Sequence, residues 1–391
     1  MSHNRTDPIE STTSQSYVEL YSDLQEQSRQ VAEATELNLL VERAKQIIAD
    51  FSTREERIFT FCKETLSLDK VAESMLEHAP AVAGNDSVTY VASRIVACEG
   101  NITNLVAVTL TWVTHFLFIM RANYGHGKQP NLPSPIATPT METTAQYILD
   151  GHRNRTGSLR DDLLLRDGYK CVVTGFADIA HPDGGELILE CTHILRHALG
   201  HFDKDSHKSA VAIFDILVNF GRLKLDDLED FKLLLDQPSN AFMQEPNVHA
   251  SFDRFWWCLH PTEEENKYKF KFYRDKMVLF RFRPDLASNP YITFRDHSKD
   301  HTTENSKKRE TASIALPDPR FLAIHAAVAG VLHMSGAGQF FDELLDKFND
   351  TEGSTPVRTW DDLEHRINLG EARISAGQIL IAVRGGGSAY S

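Results

Sequence analysis

Two histidines, an asparagine and a carboxylate are spaced in this sequence as parts of a site that could do chemistry. His193 lies in the segment ECTHIL, His249 follows nine residues after Asn240, and Asp253 follows four residues after His249. Residues four apart on a helix lie on the same face, so His249 and Asp253 would point the same way. An imidazole and a carboxylate on one face provide half of a site for a hard or borderline divalent cation.

The neighbouring residues predict the elements that would carry these side chains. The apolar residues 187–189 and 194–195 favour a strand around His193. Pro246 and Asn247 favour the start of a helix, with Asn247 as its N-cap. We therefore predict a strand that carries the first histidine and a helix that carries the second.

The order of strand, strand and helix, with histidine, asparagine and histidine along it, resembles the HNH nuclease family, whose fold is the ββα-metal motif. The flanking segments strengthen the resemblance, because they are similar to HNH proteins that are abundant in fungi. These segments are RDGYKCVVTG (166–175), THIL (192–195), PSNAF (238–242), HASFDRF (249–255) and the stretch from 316 to 337. The strong resemblance covers roughly residues 160–273.

The resemblance implies a metal-dependent endonuclease that hydrolyses phosphodiester bonds in nucleic acid. It places the general base at His193, since an imidazole can take a proton from water near neutral pH. It makes Asn240 the catalytic-site residue that ties the loop together and helps to orient the base. It makes His249 a metal ligand and Asp253 a second ligand or a support for the first. The implied cofactor is a divalent cation, Mg²⁺ or Mn²⁺, and the implied partner is nucleic acid, with DNA expected rather than RNA.

One position departs from the family pattern. Many members carry Asp or His directly before the base, whereas this chain has Thr192, a poor divalent ligand. Glu190 shares a strand face with Thr192 and could replace that ligand. The alternative is a catalytically degenerate HNH scaffold that binds nucleic acid or protein. Each residue also has a structural alternative: Glu190 lies on a solvated face, Asp253 bonds to the backbone, and the histidines and Asn240 have no chemical role.

A segment after the predicted helix alternates basic and aromatic residues. In KYKFKFYRDKMVLFRFR, residues 267–283, three lysines share one strand face and the aromatic residues share the other. This face could follow a phosphate backbone, or it could be the solvated side of an ordinary amphipathic hairpin that pairs with residues 278–282. The candidate nucleic-acid-binding residues are Lys267, Lys269, Lys271, Arg254, Arg153 and Arg155.

Composition limits the class of protein. The 391 residues are enough for two or three domains, and the net charge of −14 argues against bulk electrostatic attraction to nucleic acid. The five cysteines form no CxxC pair, which favours reduced thiols in the cytoplasm or nucleus. The polar N-terminus contains no apolar segment typical of a secretory signal.

We predict an α+β fold with a ββα-metal (HNH) core and a helical insertion between residues 197 and 238. A mostly α-helical N-terminal region precedes this core, and C-terminal helices follow it. The predicted boundaries are a disordered N-terminus (1–15), a helical domain (16–122), a linker (123–140), an HNH nuclease-like domain (141–295), a second linker (296–312) and a C-terminal helical region with a flexible end (313–391). Within the core, residues 171–174 are predicted to form a short first strand.

The N-terminal region contains four predicted helices and one strongly apolar stretch. The helices are expected near residues 37–48, 55–66, 68–78 and 87–98. The stretch at 104–120 is somewhat short of the roughly 20 residues that a membrane span needs. We expect a buried core helix there and no stable membrane anchor, with a membrane anchor as the alternative.

Overall fold

The computed structural model describes residues 14–122, 155–200, 207–225, 228–274, 283–300, 313–349 and 357–368. The predicted linker at 123–140 and the predicted strand at 278–282 lie outside these ranges. So do residues 301–312, which form most of the second predicted linker. The proposed domain boundaries therefore remain predictions.

In the described part of the N-terminal region, six helices and one hairpin precede the apolar stretch. The third helix shows why they fold: it buries Leu40, Ala44, Ile48 and Phe51, which recur every three to four residues along one face. That face packs against the sixth helix. The helices are α1 (Ser14–Asp23), α2 (Gln25–Ala34), α3 (Leu37–Phe51), α4 (Leu68–His78), α5 (Pro80–Ala83) and α6 (Asn85–Val96).

The helix predicted at 55–66 is wrong. After a short 3₁₀ turn the chain forms a hairpin of β1 (Ile58–Phe61) and β2 (Glu64–Ser67), with Phe61 opposite Glu64. Cys62 and Lys63 form the two-residue connection, with φ of 50° and 72°. Two central residues with positive φ match the right-handed twist of the paired strands. No glycine or asparagine marks this turn, which is why the sequence pattern did not reveal it.

The apolar stretch is a core helix, as expected. It runs through α7 (Ile102–Trp112), a π-helical turn (Val113–Leu117) and α8 (Phe118–Ala122). The helix is long and apolar enough to cross a membrane, but 78% of its apolar window is buried inside the fold. Burial by the protein accounts for its composition, because a core helix is apolar on all sides.

In the middle of the chain two strands and a helix follow one another, and a helical insertion separates the two strands. Strand β3 (Glu190–His193) pairs antiparallel with β4 (Ala241–Gln244), so that His193 lies opposite Ala241. Helix α9 (Arg155–Arg166) precedes β3. Helices α10 (His207–Asn219) and α11 (Leu228–Leu235) form the insertion between the two strands, and α12 (Pro246–Asp253) follows β4.

Two local predictions in this region are wrong. Residues 171–174 form a turn rather than a strand, closed by hydrogen bonds from Cys171 N to Phe176 O and from Gly175 N to Cys171 O. The N-cap of α12 is Glu245 rather than Asn247. The Glu245 carboxylate accepts from the backbone N of Asn247 and Val248, and Pro246 occupies the first helical position.

A three-stranded sheet and the C-terminal helices complete the fold. The sheet has the order β5 (Trp257–Pro261), β6 (Lys267–Phe272) and β7 (Tyr291–Thr293), with antiparallel neighbours. Helix α13 (Pro319–Ser335) packs against α4 and β5, and Gly336 ends it in the left-handed conformation. Helix α14 (Ala337–Asn349) and a helix at 360–368, α15, follow. Helices α13 and α14 meet at 87°.

The three predicted regions share one hydrophobic core. A single cluster of buried side chains contains Val18 from the N-terminal region, Leu195 and Phe252 from the middle, and Phe321 from the C-terminal region. Helix α1 contacts both α7 and the insertion helix α10. The mixture of helices and small sheets is an α+β fold, as predicted.

Candidate functional site

The predicted site residues lie at the junction of β3, β4 and α12. Glu190 is the first residue of β3 and His193 the last, while Asn240 directly precedes β4. His249 and Asp253 lie one turn apart on α12. All five side chains are buried.

His249 lies between two carboxylates. Its Nδ1 atom is 2.6 Å from Oε2 of Glu190, and its Nε2 atom is 3.4 Å from Oδ2 of Asp253. The structure thus brings together three residues that the sequence suggested for metal binding. The short Glu190 contact fixes the ring orientation and turns Nε2 towards Asp253.

The electrostatics of His249 suit a cation. Burial lowers its pKa, but the charges of Asp253 and Glu190 and the Glu190 hydrogen bond outweigh burial, so the pKa lies above its ordinary value. Neither Nε2 of His249 nor Oδ1 of Asp253 has a hydrogen-bond partner among the described residues. A divalent cation could replace the proton of the imidazolium and use both atoms, so the donor set fits such an ion.

Arg196 is a site residue that the sequence did not reveal. Its Nη1 atom lies 2.8 Å from Oδ2 of Asp253, and its Nη2 donates to the Asp253 carbonyl. Burial raises the pKa of Asp253, but the charges of Arg196 and His249 outweigh it and hold that pKa below the ordinary value. Asp253 is therefore ionised and fixed in place. Nothing in the local sequence marks an arginine three residues after His193 for this role.

The imidazole of His193 is neutral at neutral pH. Burial, and then the charges of His197, His249 and Arg196, hold its pKa well below the ordinary value, although Asp236 acts in the opposite direction. Nδ1 of His193 has no hydrogen-bond partner in the part of the chain that the structure describes. A neutral ring with a free nitrogen can accept a proton.

Asn240 fixes the backbone on two sides of the site. Its Oδ1 accepts from Leu195 N at 2.8 Å, and its Nδ2 donates to Leu195 O and to Leu235 O, both at 3.0 Å. These three bonds tie the end of β3 to the end of α11. Among the described residues Asn240 forms no hydrogen bond with the His193 side chain, so its effect on the base acts through the backbone.

Thr192 has a structural role. Its side chain is fully buried, and its hydroxyl donates to Oε1 of Gln244 at 3.0 Å across the β3–β4 pair. The residue that stands directly before His193 is therefore engaged with the opposite strand.

The middle of the chain matches a known family. A family model described as HNH endonuclease matches residues 171–260. These residues form an HNH endonuclease domain. No curated protein and no solved structure matches the chain. The matched segment contains Glu190, His193, Asn240, His249 and Asp253.

An arginine just before the matched segment clamps one strand of the HNH domain. Arg166 is fully buried and donates to the carbonyls of Pro238, Ala241 and Ala315 at 2.7–2.9 Å. Asp167 pairs with Arg166 and accepts from Met243 N. The sequence signal for these contacts is the Arg166-Asp167 pair that opens the RDGYKCVVTG segment.

The predicted basic face lies on β6, which follows the C-terminal end of the HNH match. Lys269 and Lys271 are exposed, whereas Tyr268 and Phe270 are buried, so the predicted alternation is present. Lys267 pairs with Glu264 at 2.6 Å, which reduces its value as a phosphate contact. The Arg254 guanidinium lies over the Trp256 ring. Arg153 lies outside the described residues, and Arg155 is the first residue of α9.

Proposed function

We propose that this protein is a metal-dependent endonuclease of the HNH type that hydrolyses phosphodiester bonds in nucleic acid. One arrangement in the matched domain carries the proposal. His193 is neutral, and its Nδ1 has no hydrogen-bond partner among the described residues. The neighbouring His249 lies between the carboxylates of Glu190 and Asp253. We take β3, β4 and α12 to be the ββα-metal motif.

His193 would act as the general base. Its Nδ1 can accept a proton from the water that attacks phosphorus, and its low pKa keeps the ring neutral until that moment. Asn240 would act as a positioning residue, since it fixes the backbone next to His193 on one side and α11 on the other.

His249 and Asp253 would hold the divalent cation, Mg²⁺ or Mn²⁺, through Nε2 and Oδ1. Glu190 would orient the imidazole from Nδ1, or would become the ligand if the ring turned over. The cation, when bound, supplies positive charge that stabilises the phosphate and the leaving oxygen. A carboxylate and one imidazole leave coordination positions for water and substrate oxygens, as is usual for Mg²⁺.

The substrate we propose is DNA, with the exposed Lys269 and Lys271 among the residues that follow the phosphate backbone. His193 and His249 are only 7% and 6% exposed. A phosphate therefore reaches them only after this part of the fold opens. Four buried cysteines, Cys98, Cys171, Cys191 and Cys258, form no disulfide among the described residues, which supports our proposal of a reducing compartment, the cytoplasm or nucleus.

A plasmid-nicking assay tests this function. Supercoiled DNA is incubated with the wild type, His193→Ala or His297→Ala, in the presence of Mg²⁺, Mn²⁺ or EDTA. His297 is a half-exposed histidine that pairs with Asp300 outside the matched segment, so its replacement serves as the control. We expect metal-dependent nicking by the wild type and by His297→Ala, and a loss of at least about 100-fold in His193→Ala. Wild-type rates in a folded His193→Ala protein would refute the assignment.

One observation favours a second function, a degenerate HNH scaffold that binds nucleic acid or protein without cleavage. Thr192 occupies the position at which many related proteins carry a metal ligand, and its hydroxyl is committed to Gln244. On this alternative the protein shifts the mobility of DNA or RNA in EDTA and shows no turnover with any metal. Nicking that depends on both metal and His193 would rule it out.

A further inference from the structure

Three potential metal ligands converge on the opposite side of His193 from its free Nδ1. His197 Nε2 lies 3.1 Å from His193 Nε2 and 3.1 Å from Asp236 Oδ1. One ligand atom from each of the three residues lies within 4.8 Å of the others. None of these atoms belongs to the His249 cluster.

The distances suit one tetrahedral ion. Zinc lies about 2.0–2.1 Å from nitrogen and carboxylate ligands, which places two tetrahedral ligand atoms about 3.3 Å apart. Both 3.1 Å separations are close to this value. His197 Nε2 carries at most one hydrogen, so it cannot donate to His193 and to Asp236 at full strength at the same time. A cation between the three atoms would satisfy all of them.

The fold holds the ligand-bearing segments together. His197 begins a 3₁₀ turn (His197–Gly200) that packs against α11, and Asp236 follows the last residue of α11. The approach is close: a Cβ atom on Gly200 would lie 2.8 Å from Leu235 Cδ1. Asn240 bonds to Leu195 and to Leu235, and so ties the His193–His197 segment to the Asp236 segment.

Among the three residues, the site is most exposed at Asp236. His193 is buried, the side chain of His197 is 16% exposed, and that of Asp236 is 55% exposed. An ion can enter from the Asp236 side and keep a water as its fourth ligand. Two imidazoles and one carboxylate favour a borderline transition metal such as Zn²⁺ over Mg²⁺, which prefers oxygen ligands.

We propose that His193, His197 and Asp236 form a second cation site, which takes Zn²⁺ or a similar transition metal and thereby inactivates the base. A metal on Nε2 of a neutral imidazole leaves the ring proton on Nδ1, so Nδ1 becomes a donor and can no longer accept a proton from water. The inactivation rests on the proposed nuclease function, whereas binding of the metal does not.

Metal binding is tested first, without nucleic acid. Metal-free protein is titrated with Co²⁺, whose visible absorption reports tetrahedral coordination, and with Zn²⁺ by calorimetry. The wild type should bind one ion at this second site, seen as tetrahedral Co²⁺ absorption, in addition to any ion held by His249 and Asp253. His197→Ala should weaken Zn²⁺ binding by more than about 100-fold, since even a residue behind a ligand is worth about 10–100-fold. Asp236→Asn, a conservative change at an exposed position, should also weaken binding. His249→Ala should leave it unchanged.

The nicking assay is then repeated with excess Mg²⁺ and increasing Zn²⁺, each variant being compared with its own rate without zinc. We expect Zn²⁺ to inhibit the wild type, and His197→Ala to require at least about 10-fold more zinc for the same inhibition.

Absence of Co²⁺ and Zn²⁺ binding, or loss of binding in His249→Ala alone, would overturn the site. Binding at the site without inhibition of an active enzyme would overturn the inactivation. Binding in a protein that never nicks DNA would uphold the site while the nuclease proposal fails.

Discussion

The two ring nitrogens of His249 are chemically unequal, and on our proposal one binds the cation while the other is oriented by a carboxylate. Nδ1 is hydrogen-bonded to Glu190 at 2.6 Å, whereas Nε2 is 3.4 Å from Asp253 and has no hydrogen-bond partner among the described residues. Metal-bound histidines commonly donate their second nitrogen to a carboxylate in this way. This geometry supports our proposal that Nε2 and Asp253 bind the cation, with Glu190 behind the ring.

Glu190→Gln tests this arrangement. The amide oxygen can still accept from Nδ1, but the charge that supports the ring is lost, so we expect Mn²⁺ affinity to fall by about 10–100-fold. Calorimetric titration of metal-free protein measures the change, and Mg²⁺-dependent nicking provides a second readout. Glu186→Gln, at an exposed position shortly before β3, is the matched control.

Asp253→Asn should reduce the affinity for Mn²⁺ more than Glu190→Gln does. Normal Mn²⁺ binding in Asp253→Asn, combined with none in Glu190→Gln, would reverse the two roles and place the cation on Nδ1.

At the scale of single residues, the sequence predicted those that follow the histidine–asparagine–histidine order of the family. It did not predict those whose contacts join segments on either side of the insertion. His193, Asn240 and His249 were predicted as site residues from their spacing within a resemblance, and the structure brings them to one junction of β3, β4 and α12. Arg196 and Asp236 were not predicted, because each contacts a residue far away in the sequence: Arg196 reaches Asp253 on α12, and Asp236, which directly follows α11, reaches His197. No local pattern encodes such contacts.

At the scale of elements, predictions succeeded where the pattern was long and failed where a turn decided the outcome. The helices at 37–48 and 68–78 were predicted closely, since each has a continuous apolar pattern. The hairpin β1–β2 was missed because Cys62 and Lys63 adopt positive φ without the usual glycine or asparagine. A short apolar run does not distinguish a strand from a helix.

The π-helical turn at Val113–Leu117 joins two elements through a buried histidine. His115 Nδ1 lies 2.6 Å from Thr114 Oγ1, and its Nε2 lies 3.0 Å from Ser209 Oγ on α10. Burial lowers the pKa of His115 to about 4. The contact connects the core helix to the insertion of the HNH domain.

The low pKa of His115 predicts acid sensitivity. His115 binds a proton near pH 6.5 in the unfolded chain but only near pH 4 in the folded protein. The free energy of unfolding is therefore at its full value above pH 6.5 and falls as the pH drops from 6.5 to 4. The loss is of order 3 kcal/mol. His115→Gln should remove this part of the pH dependence, as measured by urea unfolding between about pH 7 and pH 4. His297→Gln, at a half-exposed histidine, should retain the wild-type dependence. Equal slopes for wild type and His115→Gln would contradict the assignment.

At the scale of the whole molecule, the regions that the sequence suggested as separate domains are joined through one buried carboxylate. Asp215, on the insertion helix α10, accepts from Tyr21 Oη at 2.6 Å, from Arg94 Nη2 at 2.7 Å and from Gln25 Nε2 at 2.9 Å. These donors come from α1, α6 and α2. The N-terminal helices thus hold the insertion that contributes Asp236 to the zinc site proposed above.

Asp215→Ala should destabilise the protein by about 3–5 kcal/mol, because it leaves the Arg94 guanidinium, which is 2% exposed, without its counter-charge. The matched control is Glu99→Ala, which removes the exposed partner of Arg43 and should cost no more than about 0.5 kcal/mol. Urea unfolding followed by tryptophan fluorescence and by circular dichroism measures both. The two signals should change together, since the regions share one core. A loss below about 1 kcal/mol in Asp215→Ala, or an N-terminal region that unfolds first by itself in the wild type, would show that the helices and the insertion are not coupled through this carboxylate.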